Sequence, residues 1–478
     1  MSTNVAETSI TIPDCTVVVD TCREKRASYD PHNRMPMLVE GFASQDSLRQ
    51  RRGRAGRVRP GTCYKLIGRD THDGLPKHGE PEIARCALDQ TLLSLIFLGL
   101  EKGQGNFLDT FLDPPGRASV GAAVSSLEKM GAVKRKDDGE VVMMPLGLHL
   151  AAIPAPPRVG KILVMGALLG CRSAALVIAA GMSIGRNPFL KVMSRGYREE
   201  TEDGKPSRDQ SILDERERYF AKVGNSDHAL LAGVYKDWAD AGGEGAKKKF
   251  CDRVGLSHVG MKNMKQLVSQ LEGSLRDAGF GPSARSDAHA GSWRVLRSCI
   301  VSAMSPAQLV RVERGTIKYL DTHAGAVERD AEARELRFYV RDPVTDGGDG
   351  GGRGSRVFLH PSSAVFGVGS YSCPWLVYHE LIRTTKPYLR DATECSAYAL
   401  LLFGGSIEVL VEEGKIVVDG WARLAAAPRI GALVGGLRRR VDEMLVRKVT
   451  DPDVDITNSP EMKLIVELLV SDGLGKSI

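Results

Sequence analysis

Residues 47–61 read SLRQRRGRAGRVRPG. Six arginines (49, 51, 52, 54, 57 and 59) stand among Gly53, Ala55, Gly56, Pro60 and Gly61. A solvated basic helix would mix lysine with glutamate and avoid glycine, which costs about 1 kcal/mol relative to alanine inside a helix. This run does neither. Arg54 and Arg57 lie three residues apart, a spacing that puts both on one helical face, and their small neighbours leave room for a phosphate or a second domain. Guanidinium forks match phosphate oxygens and stay charged at any working pH. The run therefore reads as phosphate ligands on a shaped surface.

Outward from this stretch the chain alternates strand and loop. STNVAETSITIPD (2–14) places hydroxyl and amide side chains on a loop that leads into TVVVD (16–20). The latter is a short β-branched run of the kind buried on both faces of a parallel sheet, and TCYKLI (62–67) is a second strand. Residues 1–72 thus form part of an α/β domain. From 80 to 180 the pattern is helical. Leu88, Leu92, Leu93, Leu95 and Ile96 mark one helix, and residues 112–133 hold a second that ends at Gly131. Two β-like runs then flank Asp137-Asp138-Gly139, so 73–144 reads as a winged helix. More helices fill 145–281, with a charged surface segment at 194–218. After Gly281 come short strands at 335–340, 356–360, 375–381, 407–411 and 415–420, the pattern of a small barrel over 282–427. A Gly-rich loop (346–355) separates the first two. Pro428 to Leu445 begins a C-terminal helical tail (428–478) with an apolar stripe weakened by Gly435-Gly436.

The bulk numbers agree with a multidomain globular chain. It has 478 residues, 42% of them hydrophobic, and a net charge of +6, which suits a polyanionic partner without selecting one. Nine scattered cysteines without a C-x-x-C pair point to reduced thiols in a cytoplasmic or nuclear protein rather than a disulfide frame or zinc site. The N-terminus lacks the pattern of a secretory signal. The longest apolar stretch, 162–182, is broken by Gly166, Gly170, Arg172 and Ser173, so buried helices are expected there and no membrane partner. His149 and His228 have no Cys or His at ligand spacing and are assigned to packing or the surface. Trp238, Trp293 and Trp375 are assigned to the core, with stacking of a base by one of them in the barrel region as the alternative, and no metal ligands are assigned.

Taken together, 2–14 and 47–61 resemble motifs V and VI of the DEAH-box RNA helicases. Thr3 to Ile12 follow T-N-x-A-E-T-S-x-T-I, and Gln50 to Arg57 follow Q-R-x-G-R-A-G-R. The resemblance continues through FLDPP, LGLHLAAIP, SDHALLAGVYKDW and VFLHPSSAVF. It implies a partial RecA-like domain, a winged helix, a helical ratchet domain and an OB-fold barrel, in that order. It also implies that Gln50, Arg54 and Arg57 face the nucleotide, the two arginines as fingers on the β- and γ-phosphates. Thr11 would lie near the nucleotide sugar, and Thr3 and Asn4 would touch the RNA backbone. ATP and Mg2+ are the implied cofactors, and single-stranded RNA and protein activators the implied partners. The hairpin between the motifs, residues 22–39, would separate strands.

There are departures from the family pattern. Pro13 stands where many members have Asp, and Ala303-Met304-Ser305-Pro306 replaces Gly-Leu-Tyr-Pro. The G-x-x-x-x-G-K-[ST] and D-E-A-H runs do not occur, and GLGKS (473–477) lacks the required first Gly. The expectation is the C-terminal portion of an ATP-dependent RNA helicase, inactive as an ATPase by itself. The alternative is a non-catalytic module that binds RNA or a partner.

Overall fold

A computed structural model describes residues 2–3, 5–8, 14–30, 35–100, 107–184, 187–192, 207–314, 319–322, 325–328, 336–341, 354–383 and 386–472. It divides into two compact units, Met1–Leu88 with Gly105–Ala122, and Asp89–Gln104 with Ala123–Ile478.

The first unit is α/β. A short helix α1 (Val5–Thr8) precedes β1 (Val17–Asp20), which pairs in parallel with β4 (Thr62–Lys65) in the register Val17↔Thr62 to Asp20↔Lys65. Between them lie the antiparallel hairpin β2 (Arg23–Asp30) and β3 (Met35–Phe42), at the place expected for a hairpin, and helix α2 (Gln45–Arg52). Helix α3 (Arg69–Asp73) follows β4. Cys22, Ala43 and Leu48 form the buried centre, with Ile67 and Leu75 against them. One expectation fails here. Val17 and Val19 are 55% and 64% exposed rather than buried on both faces, because β4 is the only strand paired with β1 among the described residues.

The second unit opens with α4 (Asp89–Phe97), α5 (Arg117–Met130), and the hairpin β5 (Val133–Arg135) and β6 (Val141–Met143), the expected helix–helix–hairpin order. The start of α5 belongs to the first unit, so the segment expected as a winged helix is shared between the two. Among the described residues seven helices follow: α6 (Pro145–Ala151), α7 (Pro157–Leu168), α8 (Arg172–Ser183), α9 (Arg208–Val223), α10 (Asp227–Asp240), α11 (Gly243–Val254) and α12 (His258–Asp277). Serine hydroxyls of Ser207, Ser226 and Ser257 cap α9, α10 and α12 by accepting from backbone N–H groups in the first turn. The apolar stretch at 162–182 is the tightly packed pair α7–α8, where a Cβ on Gly166 would fall 2.2 Å from the Ala175 methyl. No helix of the described residues is long and apolar enough to cross a membrane. Within the charged segment, Arg208 to Arg218 belong to α9, whereas 194–206 lie outside the described residues, as do 346–353 of the Gly-rich loop and GLGKS.

Helix α13 (Trp293–Met304) leads into β7 (Leu309–Arg314). After it come the hairpin β8 (Tyr319–Thr322) and β9 (Gly325–Glu328), then β10 (Leu336–Val340), β11 (Ser355–Leu359), β12 (Trp375–Arg383) and β13 (Pro387–Glu394). Strands β10-β11-β13-β12-β7 close into a barrel in which only β11 and β13 run parallel. This is the five-stranded architecture of an OB-fold, filled by Val310, Leu359, Val365, Leu376 and Leu389. The strand runs at 407–411 and 415–420 do not enter it. They form β14 (Ile407–Leu410) and β15 (Lys415–Val418) of a separate sheet with β16 (Ala422–Ala425), while the barrel takes β7 and β13 instead. Helix α14 (Ala397–Phe403) separates the two sheets. Helices α15 (Pro428–Thr450) and α16 (Pro460–Ser471) end the described chain. The glycine pair does not break α15.

At the junction of α10 with the barrel, Asp227 accepts from Ser363 Oγ (2.6 Å), Ala364 N (2.7 Å) and Ala392 N (2.9 Å). Next to it His228 Nδ1 lies 2.8 Å from Thr393 Oγ1. His149 is buried beside the Phe280 ring, its Nε2 3.4 Å from the Leu445 carbonyl. Both histidines therefore serve packing.

Candidate functional site

The arginine run sorts itself by partner. Helix α2 is capped by Ser44, whose hydroxyl accepts from Ser47 N (3.3 Å), and buries one residue, Leu48. Arg51 lies three residues on, on the same side, and is drawn inward with it. Its Nε donates to Glu7 Oε2 (3.0 Å), Nη1 to Asp20 Oδ1 (3.2 Å) and the Arg23 carbonyl (3.1 Å), and Nη2 to Glu24 Oε2 (3.2 Å). Asp20 Oδ1 also accepts from Cys22 N at 2.8 Å, and Glu7 Oε1 accepts from Ser47 Oγ at 2.5 Å. Burial by itself lowers the Arg51 pKa, but the hydrogen bond to Glu7 and the charge of Asp20 outweigh it, and the guanidinium is held above its ordinary value. One arginine thus ties α1, β1, β2 and α2 together. At the surface, Arg49 pairs with Asp46 (2.7 Å) and Arg59 with Asp14 (2.9 Å).

Arg54 and Arg57 are not on one helical face as expected. Helix α2 ends at Arg52, and the chain continues in i→i−3 turns: Arg54 N to Arg51 O (3.1 Å), Ala55 N to Arg52 O (3.1 Å) and Gly56 N to Gly53 O (3.4 Å). Glycine at 53 and 56 stops the α-helix. The turn itself is anchored, since Ala55 is buried. A Cβ on Gly61 would fall 2.0 Å from the Ala55 carbonyl oxygen and 2.6 Å from that of Thr16, so only glycine fits where the chain turns into β4. Around Gly56 the opposite holds, with no atom within 4 Å of an added Cβ. Gln50 is exposed on the last turn of α2, Arg54 is half-buried and Arg57 is exposed. Thr3 is exposed, and its carbonyl accepts from Ala6 N at 3.1 Å. Asn4 and Thr11 lie outside the described residues.

The sequence reading missed Glu7, Asp20 and Arg51. The available signal was the Leu48–Arg51 spacing, which places an arginine beside the one apolar side chain of its helix. No trio of His, Cys, Asp or Glu among the described residues is arranged to hold a metal ion.

Four regions match known families: a helicase conserved C-terminal domain at residues 1–59, a ratchet-like helicase-associated domain at 156–231, an oligonucleotide/oligosaccharide-binding fold at 296–407 and a C-terminal domain of RNA helicases at 414–471. In this order they are the modules of the C-terminal portion of a DEAH-box helicase, and the chain belongs to that family. It is 34% identical over 475 residues to the DExH-box ATP-dependent RNA helicase DExH1 of Arabidopsis thaliana, covering 98% of this chain and 43% of the relative. It is 29% identical to human ATP-dependent RNA helicase DHX29 (99% of this chain, 32% of the relative) and 29% identical to human ATP-dependent DNA/RNA helicase DHX36 (95% and 41%). The chain therefore spans less than half the length of these relatives.

Proposed function

We propose that the chain supplies one side of a nucleotide site and a channel for single-stranded RNA to an ATP-dependent RNA helicase. In this reading Arg54 and Arg57 hold the β- and γ-phosphates. Gln50 lies near the attacked phosphoryl group, Thr11 near the sugar, and Thr3 and Asn4 along the RNA backbone. The observation that carries it is the Arg51 knot. It holds the end of helix α2, and the turn that follows, anchored at the buried Ala55, carries Arg54 and Arg57 on either side of Gly56, where an added Cβ would meet no atom within 4 Å. Fixed guanidinium groups stabilise charge that spreads over a transferred phosphoryl group without reorganising during the step. Mg2+ would add charge neutralisation at the phosphates, and acidic residues of another domain are proposed to hold it.

The test uses the helicase with its motor domains intact. Arg54→Ala and Arg57→Ala should each lower RNA-stimulated ATP turnover by about 10³-fold or more, the range associated with arginine fingers, with RNA affinity preserved. Wild-type turnover in both variants would refute the roles given to Arg54 and Arg57; the alternative reading of the chain is a non-catalytic module that binds RNA or a partner.

A further inference from the structure

Strands β11 and β13 alternate between the barrel core and its outer surface. Val357, Leu359 and Leu389 point inward and are buried. Their neighbours point outward, and the parallel register sets Phe358 directly beside Tyr388. The two rings have centroids 6.3 Å apart, and the His360 ring stands 5.7 Å from Tyr388. The guanidinium of Arg356 and the ammonium of Lys386 lie 5.2 and 4.8 Å from the Phe358 centroid. Arg390 is exposed two residues beyond Tyr388 on the same face, across from Glu380 of β12. The aromatic residues are half-buried and the three cations exposed.

A barrel surface needs no aromatic row to be soluble, and cations clustered beside aromatic rings do not stabilise one another. That combination suits a ligand with flat faces linked by negative charge. We infer that Phe358 and Tyr388 are a stacking platform for consecutive unpaired bases of single-stranded RNA, with Arg356, Lys386 and Arg390 taking the flanking phosphates. The inference rests on the reading of the chain as an RNA-binding portion of a helicase and places a particular contact within it. Arg356 and Lys386 are long and exposed, so they swing from the ring to phosphate oxygens when a base takes their place. Lys386 also borders the β12–β13 connection, one of the loops through which OB barrels bind oligonucleotides. The ring of His360 is oriented by its neighbours, since Ser362 N donates to its Nδ1 (3.1 Å). The proton then sits on Nε2, a donor available to a phosphate or base edge.

The experiment compares two 12-residue strands by fluorescence anisotropy with the 478-residue chain. One is an unstructured RNA, and the other a phosphodiester of equal length with base-free sugars. Wild type should prefer the RNA by about tenfold or more, since each stacked base contributes about 1–3 kcal/mol. Phe358→Leu with Tyr388→Leu, which keeps apolar volume, should reduce the RNA affinity to near that of the base-free strand while thermal unfolding stays unchanged. Arg356→Ser with Lys386→Ser should weaken both strands equally. If wild type binds neither strand, the RNA-binding reading itself fails. If wild type prefers RNA and the double leucine variant prefers it equally, that reading stands and the platform is refuted. Competition by poly-glutamate that the leucine pair does not alter would assign the surface to an acidic protein and also overturn the inference.

Discussion

Arg51 and Glu7, 44 residues apart in sequence, meet through a hydrogen bond of 3.0 Å between guanidinium Nε and carboxylate Oε2, with both side chains largely buried. That contact joins the helix of the first motif to the helix of the second. Removing one partner of a buried ion pair costs about 3–5 kcal/mol, because the remaining charge is left uncompensated. Arg51→Ala leaves three carboxylates in that position. Amide protection across β1 and α2 should fall by about 10²-fold or more in hydrogen exchange, with β13 unaffected. Arg51→Lys should rescue only part, since an ammonium cannot fork towards Glu7, Asp20 and Glu24 at once. Equal protection in wild type and Arg51→Ala would refute the knot.

Two glycines of the same run should behave in opposite ways. Gly61→Ala drives a methyl into two backbone carbonyls, so the first unit should lose stability on the scale of an overpacked core, about 1–3 kcal/mol. Gly56→Ala meets nothing and should leave unfolding unchanged. If the space there belongs to the nucleotide, Gly56→Ala should still raise the KM for ATP in the intact helicase. A variant with normal unfolding and normal KM would show that the space serves no ligand.

The balance between what sequence reveals and what it hides follows from the range of the interactions. The barrel was legible from its run of short strands separated by turn residues. Its membership was not. Whether Ile407–Leu410 joins β13 or turns back on β15 depends on helix α14 and the strands that follow, contacts no local pattern contains. The same limit explains the site. Arg54 and Arg57 stood out by spacing and Gln50 through the resemblance to motif VI, but the helical face assigned to the arginines ignored Gly53 and Gly56, and the carboxylates that hold Arg51 come from three separate segments.

Stability should depend on pH through His228. Burial, and then the charge of His379, lower its pKa to about 3 from an ordinary value of 6.5. The unfolded chain binds a proton there between pH 3 and 6.5 and the folded chain does not, so this stabilisation is complete above pH 6.5 and is lost as pH falls. Asp391 acts in the opposite sense. Burial, and then the charge of Asp227, raise its pKa to about 6 from 3.8, so its contribution is lost as pH rises through that range. The difference between wild type and His228→Asn at each pH cancels the Asp391 part. It should fall towards acid by up to about 1.4 kcal/mol per pH unit, one proton's worth. Urea unfolding from pH 4.5 to 7.5 measures it, and a difference independent of pH would show that His228 takes up its proton equally well in the folded and the unfolded chain.

Helix α15 is the last case, and it bears on whether residues 428–478 are an appended tail. Arg438 reaches back to the end of α14, donating Nε to the Leu401 carbonyl (2.8 Å) and Nη1 to that of Gly405 (2.6 Å). Burial lowers its pKa to about 10, against the opposing charge of Asp442. One side chain so closes the C-terminus of α14, where carbonyls lack partners within the helix. Nearby, a Cβ on Gly431 would fall 2.5 Å from a Val409 methyl, so α15 also lies directly on β14. Arg438→Ala should lower the urea midpoint of the second unit by the equivalent of about 1–3 kcal/mol, the cost of buried carbonyls left unmatched. Arg438→Lys should recover part of that, because one ammonium can serve one carbonyl well but not both. If Arg438→Ala unfolds at the wild-type midpoint, α14 is closed without α15, and residues 428–478 are an appendage rather than part of the unit.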